Sequence, residues 1–358
     1  MVGIALLGAG IFARDQHLPA IQSTSCLELK AVYSRSEEAA TSLSQQANVK
    51  VDIYFDRPVI AGRSLDDLLA RTDISAVSTC VTILAQPRLI KKAILAGKHV
   101  LSEKPVSRNT ETAMELIRWY NSLPNAPIWA VAENFRFNES LKYAESKIRM
   151  VGGQLTTCRL NYYGFIKKTN KYANTEWRKT PDFQGGFLLD SGIHFVASLR
   201  LLLSAVGQHV KKLVAFSSLL EEHLIPVDTV HAAISTNDSR NGTICISFGI
   251  EHKSALEIEI VTTNGSILWT PVSVKSTTKL SSGDSFDETR DFVYNNAVKA
   301  EFEAFSEAIS TSTPDPRQTP LEALSDLALL QALLESAESN GSVKVVGCPG
   351  TDLNLLSV

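Results

Sequence analysis

The sequence predicts an α/β protein of two domains, in which an N-terminal doubly wound parallel sheet is followed by an α+β domain. Three observations predict this fold. The chain has 358 residues, the length of about two domains. Residues 1–130 alternate short apolar runs with amphipathic helical patterns, as parallel sheets with helical crossovers do. The later part is rich in short apolar runs separated by turn signals, which favours a largely antiparallel sheet.

Five short strands are predicted in the first part of the chain, at residues 2–7, 27–33, 76–81, 99–101 and 128–132. Amphipathic segments lie between them, around Pro19 and at residues 37–47, 64–70, 86–96 and 108–122. Gly97 follows the fourth of these segments, where a left-handed C-terminal cap is common. We therefore assign residues 1–130 to a first domain and residues 131–358 to a second.

The second part of the chain mixes helices with β-rich runs. Helical patterns cover residues 139–151, 187–203, 296–310 and 321–339. Strands are predicted at residues 210–217, 229–235, 242–249, 255–262 and 266–269. The dipeptides Asn241-Gly242 and Asn264-Gly265 predict hairpin turns, so this sheet should be largely antiparallel. The polar stretch at residues 276–285 is predicted to be a loop.

Composition excludes several classes of protein. The chain carries 35 basic and 38 acidic side chains, so it lacks the basic excess that nucleic-acid binding requires. No uninterrupted apolar run reaches the ~18 residues of a membrane helix, and we expect no membrane partner. Residues 2–13 resemble the core of a signal peptide, but no basic region precedes them, and we interpret them as a strand and a turn. A small molecule is the expected partner.

Cysteine usage predicts the compartment and argues against a metal. The five cysteines are widely scattered, at Cys26, Cys80, Cys158, Cys245 and Cys348. They form no metal-binding spacing, so we predict no metal site. Their odd number and scatter favour a reducing environment, and we expect a cytoplasmic protein.

A glycine-rich turn follows the first predicted strand and opens a helix. Its sequence, Gly8-Ala9-Gly10-Ile11-Phe12-Ala13, is the fingerprint of dinucleotide-binding Rossmann domains with alanine at the third position. Gly8 permits the tight turn, Gly10 lets the backbone approach a pyrophosphate, and Ala13 allows close packing of helix on strand. We predict cofactor contacts along this turn, with the phosphates at the helix N-terminus. The predicted contacts are Gly8, Gly10, Ile11, Phe12 and Ala13.

The end of the second strand predicts which dinucleotide binds. An acidic residue there would hold the ribose hydroxyls of NAD and repel the 2′-phosphate of NADP. The strand instead ends in Ser34-Arg35-Ser36, with no acid before Glu37. A guanidinium fork and two hydroxyls suit a phosphate, so we favour NADP over NAD. The alternative is that Arg35 is merely a solvated loop residue.

A lysine lies at the carboxyl end of the strand that begins at His99, where ligands bind in doubly wound sheets. The segment reads His99-Val100-Leu101-Ser102-Glu103-Lys104-Pro105. Beside a nicotinamide ring, the Lys104 amine would exchange a proton with a substrate oxygen. A lone Glu-Lys-Pro is more often a surface turn, so the position in the fold carries this prediction. Glu103 and Lys104 are also candidates for cofactor contacts.

A second candidate for proton transfer lies near residue 190. On a helix, Asp190 and His194 project from one face, which pairs a carboxylate with an imidazole. A surface ion pair and a two-ligand metal site are the alternatives, and the absence of a third ligand at suitable spacing disfavours the metal. The flanking Gly185, Gly186 and Gly192 imply a close approach of the backbone to another group.

Three segments in this order resemble the Gfo/Idh/MocA family of NAD(P)-dependent oxidoreductases: GAGIFA at residues 8–13, GKHVLSEKP at 97–105 and GGFLLDSGIH at 185–194. Residues 10–19 and 172–194 are similar to a fungal NADP-dependent branch. The resemblance implies a Rossmann domain and an α/β domain with a large, mostly antiparallel sheet, whose open face commonly forms the dimer interface. It implies Lys104, Asp190 and His194 as catalytic residues, and it places Trp177 and Arg178 near the nicotinamide half of the cofactor.

One segment departs from the family pattern. Relatives commonly have Thr-Pro-Asn-x-x-His after the fourth strand, where this chain reads Val81-Thr82-Ile83-Leu84-Ala85-Gln86. Backbone contacts from Val81 and Thr82 to the cofactor survive that change, whereas the side-chain contacts of asparagine and histidine do not. Substrate inference from better-known relatives is therefore weakened.

Together these observations predict reversible hydride transfer between NADP(H) and a carbon that bears a hydroxyl or carbonyl, in a sugar- or polyol-like molecule. Lys104 and His194 would share the acid/base work and Asp190 would orient them. Two alternatives stay open. One is a catalytically silent, NADP-sensing regulator of the same fold, and the other is a hydrolase or isomerase that uses transient oxidation. We expect a homodimer or higher homo-oligomer formed through the C-terminal sheet.

Overall fold

A computed structural model describes residues 1–347, which fold into two compact units. The first unit contains Met1–Glu133 and Val298–Leu324, and the second contains Asn134–Ala297 and the chain from Ser325. The domain boundary after residue 130 stays a prediction. The first unit also includes a later helical segment, Val298–Leu324. The four cysteines within the described chain are free thiols, and Cys348 lies outside the described residues.

The first unit is built on the predicted parallel sheet. Its strands are β1 (Val2–Leu7), β2 (Leu27–Ser36), β3 (Asp52–Arg57), β4 (Ala76–Thr79), β5 (His99–Glu103) and β6 (Trp129–Ala132). The spatial order is β3-β2-β1-β4-β5-β6, and each neighbouring pair is parallel. The winding direction reverses between β1 and β4, which is where ligands bind in such sheets.

Helices connect these strands: α1 (Leu18–Ser23), α2 (Glu37–Ser44), α3 (Leu65–Leu69), α4 (Gln86–Leu95) and α5 (Thr110–Asn121). A π-helical turn, Ala13–His17, leads from the glycine turn into α1. Three of these helices have side-chain N-caps. Ser36, Ser64 and Asn109 each accept a hydrogen bond from a backbone N–H of the first turn. Local sequence therefore fixes where these helices begin.

The second unit contains a nine-stranded sheet. Its strands are β7 (Leu155–Tyr163), β8 (Val210–Ser218), β9 (Thr229–Thr236), β10 (Asn241–Ser247), β11 (Ala255–Thr262), β12 (Gly265–Thr270), β13 (Ser273–Lys279), β14 (Ser285–Asp291) and β15 (Lys344–Val345). Their order is β14-β13-β12-β11-β7-β10-β9-β8-β15. Only the β7–β10 pair among the described strands of this sheet is parallel, so the large, mostly antiparallel sheet is confirmed.

The remaining helices are α6 (Glu139–Val151), α7 (Glu176–Lys179), α8 (Gly186–Ser204), α9 (Val298–Thr311) and α10 (Pro320–Glu338). Within the described chain, only α8 is long and apolar enough to cross a membrane by length and composition. Most of α8 is buried, and it packs against β7 and β11. Its apolar composition is therefore that of a core helix. In the first unit, α9 buries Phe302 and Phe305 in the same cluster as β1.

Two predictions for the second sheet are wrong. Residues 276–279 belong to β13 rather than to a loop. The polar composition of these residues resembles that of a loop, because the strand has mostly polar residues and exposes alternate side chains. The Asn241-Gly242 dipeptide begins β10 instead of forming the hairpin turn, which lies at residues 237–240. Gly242 is needed for another reason, since a Cβ there would lie 2.5 Å from the carbonyl oxygen of Cys158 on β7. The predicted hairpin at Asn264-Gly265 joins β11 to β12, as expected.

Candidate active site

The glycine turn after β1 has the shape that its fingerprint predicts. Gly8 has a φ of +116°, and a Cβ there would lie 2.1 Å from the carbonyl oxygen of Cys80. Glycine is therefore required at this position by the backbone and by packing. A Cβ at Gly10, by contrast, would meet no atom of the described residues within 4 Å. Protein packing does not require glycine there, and the open space fits the approach of a pyrophosphate.

The ends of three adjacent strands meet beside this turn. Ala13 is fully buried in the core of the first unit, which agrees with the need for a small residue at the third fingerprint position. Val81 and Thr82 follow β4, and Lys104 follows β5. Each of these three side chains is half-buried. The first unit thus brings the glycine turn, the Val81-Thr82 segment and Lys104 to one edge of the sheet. The Lys104–Pro105 peptide bond is cis.

Two arginines act on the end of β2: Arg35, which belongs to that strand, and Arg88, which belongs to α4. Arg35 is exposed, as expected of a residue that meets a ligand from solvent. Burial, together with a hydrogen bond to Asp56, raises the pKa of the Tyr33 hydroxyl, and the charges of Arg88 and Arg35 oppose that rise. Both guanidinium groups therefore act on the same region. Arg88 is not among the predicted site residues, although its place at the start of the helix after β4 is a signal for a ligand contact.

A cavity of about 240 Å³ lies between the glycine turn and α2, and Ala9, Arg14, Ser36 and Glu38 are among its lining residues. The Ser36 hydroxyl oxygen accepts from the backbone N–H of Ala39 and so caps α2. The cavity combines a helix N-terminus and an arginine, which favour a phosphate, with a carboxylate that disfavours one.

An ion pair holds Asp190 in the second unit. Asp190 is 3% exposed, and Arg178 donates from Nε (2.9 Å) and Nη2 (2.8 Å) to its Oδ2. The guanidinium also lies 4.0 Å from the ring centroid of Trp177. The guanidinium of Arg178 therefore balances the buried negative charge of Asp190. The family resemblance predicts a nicotinamide contact for Arg178, whereas the structure shows this arginine paired with Asp190.

His194 lies one helical turn beyond Asp190 in α8. Its half-buried ring stacks on Phe135, with centroids 4.7 Å apart and planes 16° apart. Gly186 is required by packing, since a Cβ there would lie 2.5 Å from the carbonyl oxygen of Ile225. The close approach predicted for this glycine is therefore to the backbone of Ile225, within the protein itself. Asp190 and His194 belong to one unit, and Lys104 belongs to the other.

A fully buried histidine that sequence analysis did not single out lies at the ends of β4 and β5. His17 Nδ1 is 2.9 Å from the Ser78 hydroxyl, and Nε2 is 2.7 Å from Glu103 Oε1. Glu103, predicted to contact the cofactor, is thus engaged by His17. The ligand atoms of His17, Cys80 and Glu103 lie within 4.8 Å of one another, so this group could hold a metal ion. The sequence signal for His17 is a polar residue on the buried face of the helical segment that follows the glycine turn.

Glu301, on α9 in the first unit, is a second buried group that the sequence did not reveal. It is 1% exposed, and its Oε2 has no hydrogen-bond partner within the part of the chain that the structure describes. Burial raises its pKa well above the ordinary value, the charges of Glu103 and Glu133 raise it further, and Lys104 opposes them. Glu301 therefore keeps its proton at pH values where an exposed glutamate is ionised.

Glu301→Gln is expected to change how stability depends on pH. The folded protein keeps this proton after the unfolded chain loses it. The stability that Glu301 contributes is therefore fully present below about pH 4.5 and is lost as pH rises through the folded pKa. The slope in that window is about 1.4 kcal/mol per pH unit. Urea unfolding from acid to mildly alkaline pH should show the variant gaining stability relative to wild type as pH rises. Glu307→Gln, an exposed position on the same helix, is the control. A difference between wild type and Glu301→Gln that is constant with pH would contradict the buried proton.

Comparison with known proteins identifies the family. Residues 2–126 match the model of the NAD-binding Rossmann fold of the Gfo/Idh/MocA oxidoreductases, and residues 150–345 match the model of their C-terminal α/β domain. The chain belongs to this oxidoreductase family. The predicted Gfo/Idh/MocA resemblance and the Rossmann domain are thereby confirmed.

Individual relatives of this Gfo/Idh/MocA protein agree with that assignment. Dehydrogenase FPY6 of Fusarium mangiferae is 68% identical over 346 residues, which cover 97% of this chain and 99% of the relative. An oxidoreductase of Thermotoga maritima superimposes with a TM-score of 0.83 at 26% identity, over 96% of this chain and 98% of that one. Levoglucosan dehydrogenase, solved with NADH, shares the fold with a TM-score of 0.78 at 16% identity, over 97% and 99% of the two chains. This chain is therefore an NAD(P)-dependent oxidoreductase, while its preferred dinucleotide and catalytic residues stay predictions.

Proposed function

We propose that this oxidoreductase is an NADP(H)-dependent dehydrogenase of a small sugar- or polyol-like alcohol. The observation that carries the proposal is one edge of the parallel sheet, where the glycine turn with its open space at Gly10 follows β1 and Lys104 follows β5, with only β4 between these two strands. Bound NADP would supply the hydride chemistry. The name of the fold neighbour levoglucosan dehydrogenase supports a sugar-like substrate.

The proposed acid/base groups are Lys104 and His194. In the oxidative direction, the substrate hydroxyl loses its proton as its carbon loses a hydride, and these two side chains would share that proton. Asp190 would orient and polarise them. The ion pair with Arg178 supports this role, because it anchors the carboxylate while leaving the imidazole of His194 one turn away on the same helix. Trp177, stacked on Arg178, would keep that guanidinium in place.

The cofactor would be bound by the glycine turn and the end of β2. The backbone from Gly8 to Ala13 would hold the pyrophosphate, and Val81 and Thr82 would contact the cofactor through their backbone. Ser34, Arg35 and Ser36 would bind the 2′-phosphate, and the charge of Arg88 in the same region supports an anionic ligand there.

Arg35→Ala is expected to weaken NADPH binding by about 10- to 100-fold and to leave NADH binding unchanged, since a charge-assisted hydrogen bond contributes about 1.5–3 kcal/mol. Fluorescence titration of both dinucleotides against wild type and variant measures this effect. NADH serves as the internal control, because only NADPH carries the 2′-phosphate. Tighter binding of NADH than of NADPH by the wild-type protein would refute the cofactor preference.

We also propose a cytoplasmic location and assembly into a homodimer or higher homo-oligomer through the nine-stranded sheet. The free thiols of the described cysteines support a reducing compartment. Helices α6 and α8 pack on this sheet, and exposed residues such as Phe216 on β8 offer apolar area for a second copy. We propose a small-molecule substrate as the partner of the site, with no nucleic acid or membrane partner.

A further inference from the structure

We propose that His17 is a positioning residue for Lys104, acting through the carboxylate of Glu103. The inference rests on the proposed function of Lys104 in proton transfer. His17 is the last residue of the π-helical turn that links the glycine turn to α1. Single π-helical turns occur frequently at functional sites, where the extra residue shifts the side chains that follow.

Four contacts hold the His17 ring from different elements. Its nitrogens bond to Ser78 on β4 and Glu103 on β5. Its faces and edges meet Phe12 of the glycine turn and Phe302 of α9, with centroids 5.4 Å and 5.1 Å away in edge-to-face geometry. The neutral ring satisfies both bonds by donating from Nε2 to the carboxylate and accepting the Ser78 proton at Nδ1. The charged ring satisfies them by donating from both nitrogens. The ring is therefore held in one orientation in either protonation state.

This fixed ring in turn holds Glu103. Glu103 is the last residue of β5, is 8% exposed and directly precedes Lys104. A buried carboxylate needs a hydrogen-bond donor, and His17 Nε2 supplies one at 2.7 Å. Fixing the Glu103 side chain fixes the backbone from which Lys104 leaves the sheet. A displacement of about 1 Å at a reacting group costs on the order of 100-fold in rate, so small changes in this support should be measurable.

The placement of these contacts distinguishes the proposal from two simpler interpretations. A histidine needed only for stability could be satisfied anywhere in the core, whereas His17 joins the glycine turn to both strand ends that flank the proposed site. A metal ion held by His17, Cys80 and Glu103 is the other interpretation. The direct hydrogen bond between Nε2 and Oε1 makes the arrangement complete without an ion.

The test uses His17→Phe, which keeps an aromatic ring and removes both hydrogen bonds, and His17→Gln, which keeps an amide that can donate to Glu103. Lys98→Met is the matched control. Lys98 is buried, with 8% of its surface exposed, and directly precedes the opposite end of β5, where its Nζ donates to the carbonyls of Arg71 and Ile74. Three quantities are measured on the full chain: NADPH affinity, turnover with the best alcohol of a sugar and polyol panel, and the rate at which trinitrobenzenesulfonate labels Lys104, read by peptide mass spectrometry.

We expect His17→Phe to bind NADPH within about threefold of wild type, to lose about 30-fold or more in kcat, and to change the Lys104 labelling rate by about fivefold or more. The kcat and the Lys104 labelling rate of His17→Gln should lie between those of His17→Phe and wild type. If His17→Phe does not fold, the His17→Gln variant tests the proposal. Lys98→Met should lose thermal stability yet keep kcat and labelling within about twofold.

Three results would overturn the proposal. The first is labelling and kcat in both His17 variants that match Lys98→Met, which would make His17 a purely structural residue. The second is a stoichiometric metal in the purified protein that both His17 variants lose. The third is an unchanged Lys104 labelling rate when no alcohol of the panel is oxidised. Labelling needs no substrate, so a failure of the proposed function alone leaves the expected change in labelling intact.

Discussion

Lys104→Met should bind NADPH as the wild-type protein does and lose turnover by about 100-fold or more, since general acid–base groups typically contribute 10²- to 10⁴-fold. Methionine keeps a long unbranched side chain at this half-buried position after β5 but removes the only group of residue 104 that can carry a proton. Fluorescence titration measures NADPH binding, and the absorbance of NADPH measures turnover with the best alcohol of a sugar and polyol panel.

Lys91→Met is the matched control for this substitution. Lys91 is exposed on α4, where its Nζ lies 5.2 Å from the ring centroid of Trp119, so its loss removes a lysine without touching the strand ends. We expect wild-type turnover from it. Turnover near wild type in Lys104→Met itself would remove Lys104 from the mechanism, whatever the substrate.

Gly8→Ala and Gly10→Ala are expected to impair different properties: the first lowers stability and the second weakens NADPH binding. At Gly8 the new Cβ would lie 2.1 Å from a carbonyl oxygen at a φ of +116°, so we expect a loss of about 2–4 kcal/mol in the free energy of unfolding. At Gly10 the new Cβ enters open space, so stability should stay within about 1 kcal/mol of wild type. The Gly10 variant should instead bind NADPH about 100-fold more weakly, which is ~2.7 kcal/mol of binding free energy.

Urea unfolding and NADPH titration of both variants separate the two effects. Each variant is the control for the other, because the substitutions are chemically identical and two residues apart. Normal NADPH affinity in the Gly10 variant would show that the cofactor does not approach the turn at this point. Wild-type stability in the Gly8 variant would contradict the close approach to Cys80.

Strands buried on both faces were predictable because they form continuous apolar runs. β1 was predicted at residues 2–7 and is observed there. β14 lies at an edge of its sheet and was missed because exposed edge strands are largely polar, and nearly every one of its residues is exposed. β3 lies at an edge of the first sheet and was missed because its apolar run is only three residues long, at 53–55, between charged residues. β7 was missed although it lies within its sheet, since its buried residues alternate irregularly with threonine, arginine and asparagine.

Within the candidate site, the sequence located the glycine turn and Lys104 but not the partners of the buried charges. His17 and Glu103 are 86 positions apart in the chain. Arg178 precedes Asp190 by 12 residues, across a loop with no periodic pattern. Glu301 belongs to the first unit although it lies more than 160 positions after the main part of that unit, Met1–Glu133. No local spacing connects such groups, so no reading of neighbouring residues could pair them.

The fold class, the glycine turn and the position of Lys104 at a strand end follow from the amino-acid sequence alone, because hydrophobic periodicity and the backbone freedom of glycine are local properties. The family followed from motifs that keep their order along the chain. Three further contacts become visible in the folded protein alone: Arg178 pairs with Asp190, His17 bonds to Glu103, and Glu301 is buried near both Glu103 and Lys104. These interactions depend on which distant segments the fold brings within hydrogen-bond distance, and on how much water it removes from around each charge.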